Sequence, residues 1–200
     1  LKRDPIEIPP TEIIRSAASV RSVTEDMPVN QGKLTIGMRS GVTLRDADYP
    51  AAMLFNGIFG GAVTSKLFMN VREKMSLCYY CQSTPDFSKG LLTIQSGIEV
   101  KNREIAEKAI LDQLEAVRAG DFTEDEYSGA LLGLINSYRE LSDSARSLEG
   151  WYLGRMLEGV GGDPDDVIGR LRAVTRDEII AVSKKSTVDT VYFLNGTLKG

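Results

Sequence analysis

The sequence contains no histidine, and its 200 residues include only two cysteines and one tryptophan. Without histidine, the chain cannot form a Ser-His-Asp triad or the paired-histidine zinc helix of many metallopeptidases. Two thiols do not complete a four-ligand zinc site by themselves. The sequence therefore predicts that this chain holds no metal of its own.

Other classes of protein are disfavoured by what the sequence lacks. The net charge is −4 and no Lys/Arg cluster is present, so we expect no nucleic-acid partner. No apolar run approaches the ~18 residues that a membrane span needs, so we expect no membrane partner. Few cysteines and no signal peptide predict a cytoplasmic location. The first residue is Leu1 rather than Met, and we expect a fragment of a longer chain.

The hydrophobic pattern predicts one α+β domain over residues 32–200, after a proline-punctuated leading arm or interdomain linker over residues 1–31. Alternating or β-branched runs predict strands near residues 33–38, 77–84, 92–100 and 188–194. Helical spacing predicts helices that begin at Asp46 or Asp48, Thr64 or Ser65, Thr123, Asp163 and Thr175, with a further one over residues 106–117. This order is typical of helices packed on one face of a mainly antiparallel sheet.

Two clusters of possible metal ligands have simpler explanations. Cys78 and Cys81 lie three residues apart in a predicted strand, where side chains at that spacing point to opposite faces. We therefore interpret them as ordinary buried or half-buried thiols rather than as a redox or metal pair. Asp163, Asp165 and Asp166 lie where a helix begins, and helix capping explains them without a metal.

Arg72 and Tyr79 lie seven residues apart, where a predicted helix gives way to a predicted strand. In one interpretation, Arg72 lies on a solvated helix face and pairs with Glu73, and Tyr79 is an ordinary strand aromatic. In the other, the guanidinium and the phenol stabilise the negative charge that develops on a carbonyl oxygen during amide hydrolysis. The spacing alone leaves both interpretations open.

Several motifs resemble those of one peptidase family. Four of them occur in order, FNGIFGG at 55–61, SKLF at 65–68, VREK at 71–74 and LCYY at 77–80. The strand at 33–38 and the helix start at 171–179 fit the same order. Over roughly 160 residues, the chain resembles the pitrilysin/insulinase (inverzincin) family of zinc peptidases, as a half-unit from the C-terminal part. Ser76, Cys78 and Lys66 depart from the Gly, Ala and Arg that are usual in the family.

The resemblance implies half of a clamshell metallopeptidase, in which homologous α+β halves close around a chamber. The N-terminal half of such a protein carries H-x-x-E-H and zinc. The C-terminal half supplies an arginine and a tyrosine, seven apart, that hold the carbonyl of a peptide substrate. Arg72 and Tyr79 match that pair, and Tyr80 is the second candidate because the two tyrosines are adjacent. We expect Tyr79 and Tyr80 to face opposite sides of the strand.

Two functions follow as hypotheses. The chain is the half of a zinc-dependent metalloendopeptidase that stabilises the transition state, with zinc in a missing N-terminal part or in a partner subunit. Alternatively, it is a non-catalytic scaffold or interaction domain with the same fold. The Arg72/Tyr79 pair favours the first hypothesis, because a scaffold has no use for it.

Overall fold

A computed structural model of the chain describes residue 6 and residues 11–198. The strands are β1 Arg21–Met27, β2 Gly32–Arg39, β3 Cys78–Asp86, β4 Leu91–Ile98 and β5 Thr187–Gly196. The α-helices are α1 Tyr49–Asn56, α2 Arg103–Arg118, α3 Glu124–Glu140, α4 Ala145–Leu157, α5 Pro164–Arg172 and α6 Arg176–Lys185. Two π-helical segments, Gly57–Gly61 and Leu67–Lys74, lie between α1 and β3. Short 3₁₀ turns span Val100–Asn102 and Leu141–Asp143.

The five strands form a single sheet in the order β1-β5-β2-β4-β3. β2 pairs antiparallel with both β4 and β5, and β3 pairs antiparallel with β4. Only the β1–β5 pair of this sheet is parallel. The prediction of an α+β fold with a mainly antiparallel sheet is therefore confirmed. β3 forms one edge of the described sheet, and this edge carries Tyr79 and Tyr80.

One face of the sheet packs against the helices. In β2, Leu34, Ile36 and Met38 are buried and alternate with more exposed residues, so that one side of the strand lies in the core. The rest of the core comes from the other strands and the helices, and includes Leu54, Phe59, Leu67, Leu92, Ile94, Ile98, Ile110, Leu114, Ile179, Val191 and Phe193. The opposite face of the sheet keeps polar and partly exposed side chains.

β1 lies within the segment predicted to be an arm or linker. All seven of its residues are exposed, and its sequence RSVTEDM has no apolar alternation that would reveal a strand. Upstream of it, Arg15 donates to the carbonyl of Gly41 at 2.8 Å and forms an ion pair with Asp46 at 2.9 Å. Part of the predicted arm is therefore tied to the domain. Residues 1–5 and 7–10 of that arm, and residues 199–200, lie outside the described residues.

Three helices begin with reciprocal capping boxes. The pairs are Thr123 with Glu126, Asp163 with Asp166, and Thr175 with Glu178. In each pair, the first side chain accepts from the backbone N–H three residues later, and the second accepts from the backbone N–H of the first. The carboxylates of Asp163 and Asp166 are engaged in this way, as the capping interpretation of the Asp cluster predicts.

The π-helix Leu67–Lys74 ends in a left-handed turn at Ser76, whose φ is 53°. The N–H of Ser76 donates to the carbonyl of Arg72 at 3.1 Å, and the N–H of Leu77 donates to the carbonyl of Val71 at 3.2 Å. This is a left-handed helix cap, at a position where glycine is the usual residue. Serine at such a position carries a steric cost, because its Cβ approaches the backbone.

Ser76→Gly is expected to raise the free energy of unfolding by about 1 kcal/mol, because glycine adopts a positive φ without that cost. Urea unfolding followed by circular dichroism measures the change. Ser76→Ala is the matched control, since it keeps a Cβ and gains no backbone freedom. If Ser76→Gly is no more stable than Ser76→Ala, the turn is not strained.

Candidate functional site

A polar pocket of about 380 Å³ lies where the π-helix Leu67–Lys74 meets the sheet edge. Its walls come from the end of that helix, from the turn at Ser76, from the start of β3 and from the segment after β4. The lining residues are Arg72, Glu73, Ser76, Leu77, Cys78, Tyr79, Glu99 and Asn102. Arg72 and Tyr79, which were singled out from the sequence, therefore lie on the same pocket.

The guanidinium of Arg72 is held from three sides. Its Nε donates to the backbone carbonyl of Tyr79 at 3.0 Å. Its Cζ lies 4.6 Å from the ring centroid of Phe68, which covers one face of the cation. Its Nη1 pairs with Oε1 of Glu73 at 3.2 Å. The ion pair between Arg72 and Glu73 that the first interpretation expects is therefore present. Arg72 also donates a hydrogen bond directly to the backbone of Tyr79.

A β-bulge separates the two adjacent tyrosines. Cys78 pairs with Ile98 and Tyr80 pairs with Gly97, so Tyr79 is an extra residue without its own partner on β4. Both rings are exposed, with Tyr79 at 54% and Tyr80 at 39%. The bulge interrupts the regular alternation on which the prediction of opposite faces rests.

The two tyrosines nevertheless have different surroundings. Tyr80 packs on the backbone of Gly97, since a Cβ added to that glycine would lie 2.5 Å from the Tyr80 ring. Its ring therefore covers the strand beside it, as aromatic residues often do over a glycine in a sheet. Tyr79 lines the pocket with Arg72. The geometry thus pairs Arg72 with Tyr79 and leaves Tyr80 outside the pocket.

The same bulge changes the position of the two cysteines. Cys78 is half-buried and Cys81 is buried, and their partners Ile98 and Ser96 are both buried residues on the core side of β4. The sequence-based prediction that the two thiols point to opposite faces is therefore wrong. Contact with the thiol of Cys81, the hydroxyl of Ser96 and the charge of Arg72 lowers the pKa of Cys78 to about 7. The pKa of Cys81 is raised, because it faces the Cys78 sulfur and is buried.

Several pocket residues were not recognised in the sequence. Glu99 and Asn102 follow β4, and the hairpin of β3 and β4 brings them to the start of β3, where the pocket lies. Glu99 pairs with Lys101 at 2.7 Å. Glu73 and Glu99 both line the pocket with Arg72, and the pocket therefore combines both signs of charge.

Residue 6 and residues 11–198 contain no group of three or more Cys, Asp or Glu side chains arranged to hold a metal ion. None of the helices in the same ranges has the length and the apolar character that crossing a membrane takes.

Comparison with curated proteins finds relatives that are longer than this chain. The chain is 42% identical over 177 residues to "Probable inactive metalloprotease YmfF" of Bacillus subtilis, a match that covers 88% of this chain and 42% of the relative. It is 28% identical over 174 residues to "Uncharacterized zinc protease SCO5738" of Streptomyces coelicolor, covering 86% of this chain and 37% of the relative. The chain therefore spans less than half the length of these relatives.

Solved structures share the fold. A conserved protein from Enterococcus faecalis V583 superposes with a TM-score of 0.87 at 35% identity, over 92% of this chain and 44% of that protein. A peptidase M16 inactive domain from Pseudomonas fluorescens superposes with a TM-score of 0.74 at 21% identity, over 92% of this chain and 45% of that protein. At 21% identity, the second match bears on the fold alone.

The family assignment comes from the sequence itself. The family described as "Peptidase M16 inactive domain" matches residues 2–134, which is most of the chain and includes both Arg72 and Tyr79. The resemblance to a half-unit of zinc peptidases is thereby confirmed. The chain belongs to the peptidase M16 family, as an example of its inactive domain.

Proposed function

We propose that this chain is the substrate-binding and transition-state-stabilising half of a zinc-dependent metalloendopeptidase. Zinc and the H-x-x-E-H helix then belong to an N-terminal part of the same protein or to a homologous partner subunit, and the two halves close as a clamshell around a peptide. The observation that carries the proposal is the shared pocket of Arg72 and Tyr79. The lack of histidine requires that the zinc comes from outside this chain.

The contacts of Arg72 suit it to a role in stabilising charge. Its Nε is fixed on the Tyr79 carbonyl and one face lies on Phe68, so the orientation of the guanidinium is set before any substrate binds. A preorganised cation beside a phenolic donor stabilises the oxygen of a tetrahedral intermediate more than it stabilises the planar amide. The ion pair with Glu73 holds the guanidinium until a substrate carbonyl takes its place.

The position of β3 supports a peptide as the substrate. β3 lies at the edge of the described sheet, so one side of its backbone is not paired with another strand. An extended peptide can add to such an edge through main-chain hydrogen bonds. The pocket lies at the start of the same strand, and a carbonyl of a peptide on this edge is within reach of it.

The relatives leave the source of the zinc as two alternatives. One relative is named a probable inactive metalloprotease, and this name favours a parent protein without zinc that works with a zinc-bearing partner. Another is named a zinc protease, and this name favours a parent with its own zinc motif. The description "inactive domain" also fits a non-catalytic scaffold. The Arg72/Tyr79 pocket supports the peptidase role over the scaffold.

Arg72→Ala and Tyr79→Phe are each expected to lower kcat by roughly 10²–10³-fold, which is the usual effect of losing one oxyanion donor in a peptidase. The enzyme assayed is the full-length protein assembled with its zinc-bearing half. A contact made only in the transition state lowers kcat and kcat/KM together. Steady-state cleavage of a fluorogenic peptide measures both constants.

Matched controls separate this role from loss of folding. Arg139→Ala and Tyr152→Phe change exposed or half-exposed residues of α3 and α4, outside the pocket, and turnover should be unchanged. Tyr80→Phe decides between the two tyrosines, and we expect it to retain activity. Wild-type turnover in Arg72→Ala and Tyr79→Phe would refute the proposed role of the pair.

Zinc analysis distinguishes the two sources of the metal. The purified 200-residue chain is expected to bind no stoichiometric zinc and to cleave no peptide. Elemental analysis of the full-length protein should find about one zinc per chain if its N-terminal part carries the motif, as in other peptidases with a single catalytic zinc. Absence of zinc there assigns the metal to a co-purifying partner. Peptidase activity of the purified 200-residue chain alone would contradict the proposal.

A further inference from the structure

The bulge in β3 brings two thiols to the same side of the strand. Cys78 pairs with Ile98 and Cys81 pairs with Ser96, and these partners are two residues apart on β4. Both thiols therefore lie on the core side of β3 and face each other. Two sulfurs that face each other can be joined by thiol–disulfide chemistry.

A buried hydroxyl lies beside both sulfurs. Ser96 is only 1% exposed, and its Oγ has no partner with hydrogen-bond geometry among the residues that the structure describes. It lies close enough to Cys78 and Cys81 to stabilise the thiolate of either. An unsatisfied buried hydroxyl costs free energy, so its presence near the two thiols calls for an explanation.

We propose that Cys78 and Cys81 form a dithiol site that reacts with hydroperoxides, in which Cys78 is attacked first and Cys81 resolves the product. Cys78 lines the pocket and is half-buried, so a small peroxide can reach it. Cys81 is 3% exposed and faces the Cys78 sulfur. The guanidinium of Arg72 stabilises the Cys78 thiolate, which is the nucleophilic form.

The chemistry balances in two steps. The Cys78 thiolate attacks one oxygen of the peroxide, so that an S–O bond forms, the O–O bond breaks, and the leaving oxygen departs as water or an alcohol after taking a proton. Cys78 sulfur is oxidised to sulfenic acid and the peroxide is reduced. The Cys81 sulfur then attacks the Cys78 sulfur, the S–O bond breaks, and the Cys81 proton leaves with the hydroxide as water.

The product is expected to be a labile disulfide. Because Cys78 lines the pocket, small thiols can reach the bond, and an accessible disulfide is reduced easily. Tyr79 lies between the two cysteines in the sequence, and its carbonyl accepts a hydrogen bond from Arg72. Oxidation of the two thiols is therefore expected to affect the position of Arg72 in the pocket. An effect on peptidase turnover rests on the proposed function, whereas the thiol chemistry does not.

Peptide mapping tests the thiol chemistry without an activity assay. Trypsin cuts after Lys74 and Lys89, and the peptide 75–89 contains both cysteines of this chain. The full-length protein is treated with hydrogen peroxide in the presence of a chelator, quenched with an alkylating agent and digested. We expect peptide 75–89 to lose two hydrogens, about 2 Da, through formation of a disulfide, and to regain them with a small thiol.

Variants assign the order of the two steps. Cys81→Ser is expected to leave a sulfenic acid on Cys78 that dimedone captures, and Cys78→Ser is expected to leave Cys81 unmodified. Ser96→Ala should slow the oxidation, because the hydroxyl no longer stabilises the thiolate. The wild-type protein in urea is the control for variants that fail to fold. Peptide 75–89 that stays reduced, or is oxidised no faster in the folded protein than in urea, would overturn the proposal.

Discussion

The hydrogen bond from Nε of Arg72 to the carbonyl of Tyr79 joins the end of a helix to the start of the edge strand. It forms because the left-handed turn at Ser76 reverses the chain within a few residues. It also requires the bulge in β3, which leaves Tyr79 without a partner on β4 and turns its carbonyl toward the helix end. The pocket, the orientation of the guanidinium and the contact of the two thiols all depend on this short segment.

The location of that segment matters for the function that we propose. The rest of the domain is a sheet covered by helices on one face, and it forms the base on which the pocket lies. The pocket lies at the edge of this base, where a second body can close over it. In amide hydrolysis of this kind, one body would supply the cation and the phenol that stabilise negative charge. The other body would supply the metal-bound water. This chain, which has no histidine, fits the body that supplies the cation and the phenol.

The regular elements could be predicted from the sequence, and the site could be predicted only in part. The alternation of Leu34, Ile36 and Met38 and the capping residues Thr123 and Thr175 are local signals, and the structure agrees with them. β1 was missed because its seven residues are all exposed and carry no apolar pattern. For such a strand, pairing with β5 decides the structure, and no local signal reports it.

The bulge was missed for a related reason. The sequence CYYC at 78–81 is typical of a regular strand, in which side chains alternate between the two faces. The shift in register depends on β4, where Gly97 leaves room for the ring of Tyr80. Since that glycine is 17 positions further along the chain, the spacing of Cys78 and Cys81 alone could not reveal that the two thiols lie together. The wrong prediction about the two thiols has this cause.

In the function that we propose, Arg72 and Tyr79 hold the carbonyl oxygen of a peptide. A crystal structure of the full-length protein, assembled with its zinc-bearing half and a phosphinic peptide, tests it most directly. We expect a guanidinium nitrogen of Arg72 and the hydroxyl of Tyr79 at about 2.7–3.1 Å from a phosphinyl oxygen of the inhibitor, opposite the zinc. A bound inhibitor whose phosphinyl oxygens contact neither side chain would contradict it.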